Sequence, residues 1–160
     1  MKILLTGASG FIGNYFKDTY HLEHQIKTFS FLKDDFTLLD LNGIDTVIHL
    51  SALVHQMSGA SANEYEKVNV TQTIELAKKA KASRVKHFIF MSTIKVYGEE
   101  SSTVYAENTP CHPEDHYSKS KLLAELELQK LTDEYFTVSI IRTPIVYGAG
   151  VKANIKNLIQ

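Results

Sequence analysis

The sequence, 160 residues long, lacks the features that mark several large classes of protein. Its single cysteine, Cys111, permits no internal disulfide, which fits a reducing compartment. No apolar run approaches the roughly 20 residues that a membrane-spanning helix needs. The opening residues MKILLTGASGFIG do not have the pattern of a signal peptide. We therefore expect a cytoplasmic protein without a membrane partner.

An excess of positive charge is also missing. The 17 Lys and Arg residues are balanced by 18 Asp and Glu residues, so the formal net charge is -1. A protein that binds nucleic acid by general electrostatic attraction would be more basic, and we expect no nucleic-acid partner. The hydrophobic fraction of 44% and the charged fraction of 22% are typical of one globular domain with a substantial core.

Short apolar segments alternate with longer amphipathic ones along the chain. This pattern predicts crossover connections and a doubly wound α/β fold with a mainly parallel sheet. The segment 30–43 has no clear pattern, and 93–113 reads as a loop. Asn63 is the expected N-cap of the second predicted helix. The predicted strands are Lys2–Thr6, Gln25–Phe29, Thr46–Ser51, His87–Ser92 and Thr137–Thr143, and the predicted helices are Phe11–Tyr20, Asn63–Ala82, His116–Leu131 and Lys152–Gln160.

A glycine-rich turn joins the first predicted strand to the first predicted helix. Gly7, Gly10 and Gly13 have the spacing G-x-x-G-x-x-G. In a dinucleotide site such glycines permit a tight turn, a close approach to the pyrophosphate and close packing of helix on strand. The helix N-terminus then offers free N–H groups to the phosphates. No Gly-Lys-Ser/Thr follows, which excludes a P-loop.

The choice between NAD and NADP is open from the sequence. An acidic residue at the end of the second strand often binds the adenosine ribose of NAD, but Ser30 stands there. The first acids, Asp34 and Asp35, either form a solvated turn or contact the nucleoside. Ser30 and Lys33 are compatible with a 2′-phosphate, so we expect only modest discrimination between the two cofactors.

A tyrosine and a lysine four residues apart form a possible acid–base pair. On a helix, Tyr117 and Lys121 share one face. An ammonium group near a phenol lowers the phenol pKa, which suits a general acid/base. Ser92 and Thr93 follow the fourth strand, and the carboxyl ends of parallel strands meet at one ligand-binding edge. The glycine turn, the hydroxyl pair and the tyrosine are therefore expected at one crevice.

Taken together, these segments resemble the extended short-chain dehydrogenases/reductases of the nucleotide-sugar epimerase/dehydratase group. The similarity spans nearly the whole chain, and STIKVYGE and VHQM resemble a branch acting on UDP-N-acetylated hexosamines in polysaccharide synthesis. Ser51 stands where many members have alanine. The matching segments are TGASGFIG (6–13), DTVIHLSAL (45–53), VNV (68–70), MSTIKVYGE (91–99), YSKSK (117–121) and IIRTPIVYGAGVKAN (140–154).

The resemblance implies a role for each matching residue. Tyr117 would be the catalytic acid/base, Lys121 would bind the nicotinamide ribose and lower the Tyr117 pKa, and Thr93 would hydrogen-bond the reacting sugar oxygen. Asn69 would support the active site. The remaining residues would contact NAD or NADP: Ser92 lining the cofactor, Pro144 near the carboxamide, Gly7, Gly10, Phe11, Ile12 and Gly13 at the pyrophosphate, and Leu50, Ser51 and Ala52 beneath the cofactor.

The resemblance also implies the reaction, which is hydride transfer between the cofactor and a UDP-hexose or UDP-N-acetylhexosamine. Ile94 and Lys95 follow Thr93 where a dehydratase would carry additional acid/base groups, so an epimerase or a dehydrogenase/reductase is favoured.

Residues 1–151 would form a Rossmann-type dinucleotide-binding domain. Residues 152–160, with Asn154, would lead toward a substrate domain that the chain lacks. The alternative is a non-catalytic dinucleotide-binding remnant or sensor. A homodimer is compatible with the helix Asn63–Ala82.

Other polar residues fit structural roles better than functional ones. Cys111, His112, Asp115 and His116 lie close in sequence, but Pro113 interrupts them and a structural zinc site needs four convergent ligands. We therefore expect no metal. His49 is predicted to be a hydrogen-bonded core residue and Arg142 to pair with an acid at the end of the sheet. His55 is expected in a loop.

Overall fold

A five-stranded parallel sheet forms the centre of the computed structural model, which describes residues 1–54, 59–99 and 104–148. The strand order is β2-β1-β3-β4-β5, so the predicted parallel, Rossmann-like fold is confirmed. The predicted helix Lys152–Gln160, Asn154 and His55 lie outside the described residues. The strands are β1 (Lys2–Thr6), β2 (Gln25–Phe29), β3 (Thr46–His49), β4 (His87–Thr93) and β5 (Thr137–Thr143).

The helices cover both faces of this sheet. They are α1 (Phe11–Tyr20), α2 (Ala62–Tyr65), α3 (Gln72–Ala82) and α4 (His116–Gln129). The predicted helix Asn63–Ala82 is present as α2 and α3, joined through a π-helical segment, Glu66–Thr71. No helix in the described ranges is both long enough and apolar enough to cross a membrane.

The predicted cap of this helical segment is wrong. Ser61, not Asn63, is the N-cap of α2, and its side chain accepts a hydrogen bond from the Glu64 N–H. Glu64 in turn accepts from the Ser61 N–H at 2.8 Å. This reciprocal capping box satisfies two backbone donors, whereas Asn63 lies within the first helical turn.

Element ends differ from the prediction where the chain meets another segment. The strand β3 stops at His49, two residues earlier than predicted, because Leu50 and Ser51 turn against the backbone of Gly7. The unassigned segment 30–43 contains a single short 3₁₀ turn, Phe36–Leu38, and the predicted loop begins with another, Ile94–Tyr97.

The core lies on both sides of the sheet, as the uniformly apolar strands predicted. One cluster packs between the sheet and the helices α3 and α4. A smaller cluster, made of Ile3, Leu5 and Ile48, packs against Phe16 of α1. The larger cluster includes Leu4, Val47, Leu76, Phe88, Phe90, Ala124, Leu128 and Phe136.

A buried carboxylate joins α4 to the ends of two strands. Glu125 is 1% exposed and accepts hydrogen bonds from the Ser92 hydroxyl and from Arg142, whose Nη2 lies 2.6 Å away. Arg142 Nη1 also donates to the Tyr97 hydroxyl at 2.8 Å. Arg142 therefore pairs with an acid in a structural role, as predicted, and the acid comes from α4. Charge-assisted bonds of this kind are stronger than neutral ones.

Replacing Glu125 by alanine should destabilise the protein strongly, because it leaves the Arg142 charge without its partner. We expect Glu125→Ala to lower the free energy of unfolding by about 3–5 kcal/mol. Glu127→Ala is the control on the same helix, since Glu127 is 37% exposed and pairs with Lys130 at the surface; we expect about 1 kcal/mol or less. Urea unfolding followed by circular dichroism measures both. Equal losses of unfolding free energy in the two variants would contradict a structural role of the Glu125–Arg142 pair.

Candidate active site

The carboxyl ends of all five strands lie along one edge of the sheet. Gly7 follows β1, Ser30 follows β2, Leu50 follows β3 and Pro144 follows β5, while Thr93 is the last residue of β4. From β1 the sheet extends to β2 on one side and to β3 on the other. This reversal between β1 and β3 is a topological switch point, where parallel sheets of this kind bind ligands.

The glycine-rich turn lies at this switch point and fits tightly against its neighbours. Gly7 has a φ of +70°, and a Cβ there would lie 2.7 Å from the backbone of both Leu50 and Ser51. A Cβ on Gly13 would lie 2.3 Å from the Gly7 carbonyl oxygen. Both positions therefore require glycine, one for the turn beside β3 and one for the packing of α1 on that turn.

The N-terminus of α1 is suited to an anion. Its N-cap, Gly10, has an extended backbone and no side chain that could cap the helix. The first-turn N–H groups, which include those of Phe11, Ile12 and Gly13, have no intrahelical acceptor, and the positive end of the helix dipole lies there. Among the described residues, a Cβ on Gly10 would meet only the Gly7 carbonyl oxygen, at 3.2 Å. The outer side of the turn is thus open to a phosphate group.

The side chain of Asn69 connects the loop after β3 to α4. Its Oδ1 accepts from the Leu53 N–H at 2.8 Å, and its Nδ2 donates to the Leu53 carbonyl and, at 2.9 Å, to the Ser120 hydroxyl. Asn69 lies in the π-helical segment and is buried. Leu50, Ser51 and Ala52, just before this clamp, are half-buried at the sheet edge.

His49 belongs to a buried chain of hydrogen bonds. Its Nε2 lies 2.9 Å from the Thr73 hydroxyl, which itself donates to the Asn69 carbonyl at 2.8 Å. Thr73 must therefore accept from Nε2–H, and the Thr6 hydroxyl donates to Nδ1 at 2.7 Å. Burial lowers the pKa of His49 to about 3, so the ring is neutral. His49 is the hydrogen-bonded core residue that was predicted.

Tyr117 and Lys121 both lie at the site, but their electrostatics differ from the expectation. Lys121 is 2% exposed, and its Nζ lies 3.9 Å from the centroid of the Phe90 ring. Burial lowers the pKa of Lys121 to about 7. The pKa of Tyr117 is raised, first by burial and then by the Asp115 charge, while Lys95 lowers it. Lys121 is not among the groups that shift the pKa of Tyr117, and its ammonium lies over the Phe90 ring instead.

The two hydroxyl residues at the end of β4 have different environments. Thr93 caps the turn Ile94–Tyr97, its Oγ1 accepting from the Lys95 N–H at 3.3 Å. Ser92 is buried and donates its hydroxyl proton to Glu125. Thr93 is also buried, but its hydroxyl proton has no acceptor among the described residues, whereas the Ser92 hydroxyl belongs to the structural network. Pro144 is exposed just beyond β5.

An acid is present at the end of β2, although the sequence does not place one there. Asp34 folds back through a turn closed by its own N–H on the Ser30 carbonyl, and its carboxylate accepts from the Ser30 N–H at 2.8 Å. Asp35 instead caps the next turn, accepting from the Thr37 N–H. A search for an acid directly at the strand end misses Asp34, because the turn, and not the spacing, brings it there.

The segment Cys111–His116 does not assemble a metal site. Asp115 is the N-cap of α4, accepting from the Ser118 N–H at 2.6 Å, and it also pairs with Lys95. Across residues 1–54, 59–99 and 104–148, no three His, Cys, Asp or Glu side chains converge as metal ligands.

Comparison with known proteins gives a consistent result. The model of the NAD dependent epimerase/dehydratase family matches residues 3–160. A UDP-glucose 4-epimerase of Vibrio cholerae is 37% identical over 99% of this chain and 56% of its own length. A human dTDP-D-glucose 4,6-dehydratase is 37% identical over 69% of this chain and 32% of its own.

A solved structure has the same fold. The UDP-glucuronic acid 4-epimerase of Bacillus cereus, in complex with NAD, superposes with a TM-score of 0.78 at 26% identity, covering 92% of this chain and 57% of the other. The chain spans about half the length of the full-length curated epimerase that it matches.

The burial of Lys121 should cost stability that methionine, of similar length, recovers. We expect Lys121→Met to raise the free energy of unfolding at pH 7 by about 1–3 kcal/mol. The folded chain loses the Lys121 proton near pH 7, while the unfolded chain holds it up to the ordinary pKa of 10.5. Wild-type stability therefore rises across this interval, and the gain from Lys121→Met shrinks.

Denaturation of both proteins at several pH values measures this difference. Lys119→Met is the control, because Lys119 is exposed on the same helix and should give no pH-dependent gain. A lower stability of Lys121→Met at neutral pH would contradict an unfavourably buried ammonium group.

Proposed function

The chain belongs to the NAD dependent epimerase/dehydratase family, and on that premise we propose that it binds NAD at the switch point and oxidises a nucleotide sugar. The proposed substrate is a UDP-hexose or UDP-N-acetylhexosamine, and the proposed reaction is 4-epimerisation or a dehydrogenase/reductase reaction. The observation that carries the proposal is the meeting of three features at one sheet edge: the uncapped N-terminus of α1, the Thr93 hydroxyl and the Tyr117–Lys121 pair.

The glycine turn fits the pyrophosphate of a dinucleotide. A side chain at Gly7 or Gly13 would clash with backbone atoms, whereas a Cβ at Gly10 would meet only the Gly7 carbonyl oxygen among the described residues. Backbone N–H groups at the α1 N-terminus are then the phosphate donors. Leu50, Ser51 and Ala52 border the turn on the β3 side and would lie beneath the nicotinamide half of the cofactor.

The acid–base chemistry rests on three side chains. When bound, the oxidised cofactor supplies the hydride acceptor and a positive charge beside the site. Tyr117, as the phenolate, takes the proton of the sugar hydroxyl, and Thr93 donates a hydrogen bond to the same oxygen. Lys121 is available to the ribose hydroxyls, since no hydrogen bond joins its Nζ to another described residue. Its charge, brought toward the phenol, would offset the effect of burial on the Tyr117 pKa.

Among the family reactions, the residues after Thr93 favour epimerisation or reduction over dehydration. Ile94 and Lys95 supply no carboxylate at this turn, and Lys95 is held in ion pairs. The similarity to the UDP-glucose 4-epimerase of Vibrio cholerae supports the same choice. Residues 1–151 are proposed as the dinucleotide-binding domain, and the homodimer stays a prediction.

Cofactor preference should depend on Asp34. Its carboxylate at the end of β2 would accept from the ribose hydroxyls of NAD and repel a 2′-phosphate, so the modest discrimination expected from sequence gives way to a preference for NAD. Asp34→Asn should shrink the ratio of NAD to NADP affinities by about tenfold, which is about 1.4 kcal/mol. Calorimetric titration with both nucleotides measures the ratio. Asp35→Asn is the control and should leave it unchanged; an unchanged ratio in Asp34→Asn would count against the assignment.

Removal of the Tyr117 hydroxyl should abolish turnover and spare cofactor binding. With the protein as the cell makes it, including any residues encoded beyond Gln160, Tyr117→Phe should slow interconversion of UDP-sugars by about 10²-fold or more. The rise in melting temperature on adding NAD should be retained. Tyr135→Phe, a change at an exposed tyrosine, should alter neither. Normal turnover in Tyr117→Phe would refute the mechanism, and NAD binding without sugar turnover in the wild type would favour a non-catalytic sensor.

A further inference from the structure

Lys95 bridges the two segments that carry the proposed acid–base groups. Thr93 is the N-cap of the turn Ile94–Tyr97, and Asp115 is the N-cap of α4. Asp115 lies two residues before Tyr117. Lys95 Nζ lies 2.9 Å from Asp115 Oδ2. The Lys95 N–H also bonds the Thr93 hydroxyl oxygen at 3.3 Å. One residue thus contacts both Thr93 and the start of the helix that bears Tyr117.

Further contacts hold both partners of the Lys95–Asp115 ion pair in place. The Asp115 carboxylate divides its two oxygens, with Oδ1 accepting from the Ser118 N–H of α4 and Oδ2 from Lys95. Lys95 is held from its other side by Glu99, whose Oε1 lies 2.8 Å from Nζ. The Lys95 side chain is 33% exposed, so water screens its charge only in part.

The charged and titratable groups that act on Tyr117 come from three elements. They are Asp115 at the start of α4, Lys95 in the turn after β4, and Tyr65 of α2, whose ring centroid lies 6.3 Å from that of Tyr117. Asp115 and Tyr65 raise the pKa of Tyr117, and Lys95 lowers it. Among the described residues, Lys95 is thus the cation that lowers the pKa of Tyr117, while the Lys121 ammonium lies against the Phe90 ring.

We infer that Lys95 is a positioning residue for the proposed reaction: through Asp115 it fixes the Thr93 turn against the start of α4, and it holds its positive charge at Asp115, two residues before Tyr117. The effect of Lys95 on catalysis rests on the proposed function. The contacts of Lys95 with Thr93 and Asp115 do not depend on any substrate.

Replacement of Lys95 tests the inference without turnover. In protein labelled with ¹³C-tyrosine, NMR titration follows ionisation of Tyr117, whose signal is identified by its loss in Tyr117→Phe. At the highest pH at which all variants remain folded, Lys95→Met should show a smaller ionised fraction of Tyr117 than the wild type. Lys95→Arg, which keeps the charge, should match the wild type. Glu99→Gln, which leaves the Asp115 contact in place, is the matched control and should do the same.

A second measurement separates this inference from the proposed function. In the NAD-bound protein, Lys95→Met should move the acidic limb of the kcat profile to higher pH and lower kcat at neutral pH by about threefold to tenfold, with KM for the nucleotide sugar unchanged. A Tyr117 titration in Lys95→Met that overlays the wild type overturns the inference, whatever the activity. A shifted titration in a protein that turns over no sugar supports the placement of Lys95 and counts against the proposed function.

Discussion

The position of the whole site depends on the buried carboxylate of Glu125. It binds Ser92 near the end of β4 and Arg142 near the end of β5, and so fixes α4 against the carboxyl edge of the sheet. Lys121 lies one turn before Glu125 and Tyr117 one turn before that, on the same helix face. A buried ion pair contributes little net stability, but it fixes a unique arrangement when its hydrogen bonds are satisfied. Here that arrangement brings the phenol to the sheet edge.

Two buried titratable groups near the site, His49 and Lys121, differ in how the protein accommodates their burial. His49 loses its charge, and both ring nitrogens find hydroxyl partners, so its burial is compatible with a stable core. Lys121 has an aromatic face beneath its ammonium and no hydrogen-bond partner among the described residues. A buried charge without a hydrogen-bond partner, such as Lys121, costs stability. It therefore indicates a functional role more strongly than a neutral, hydrogen-bonded group such as His49.

The sheet could be predicted from the sequence because strands buried on both faces are short apolar runs with clear limits. The elements Lys2–Thr6 and Phe11–Tyr20 match the prediction to the residue. What sequence periodicity could not provide are the contacts between segments distant in sequence. The end of β3 depends on the approach of Gly7, and the pKa of Tyr117 depends on burial and on Lys95. The Ser61–Glu64 capping box has the sequence signature S-x-x-E, which identifies Ser61 and not Asn63 as the cap.

The proposed cofactor half of the site consists of backbone groups, and the proposed catalytic half consists of side chains. The glycine turn offers backbone N–H groups and close packing, which depend on the absence of side chains at Gly7 and Gly13. The proposed acid–base half depends on side-chain charges, since Asp115 raises the pKa of the Tyr117 phenol and Lys95 lowers it. Backbone binding persists when surface residues change, whereas an ionisation constant responds to every nearby charge. Within one family, dinucleotide binding can therefore stay constant while substitutions at positions such as Lys95 change how the phenol works.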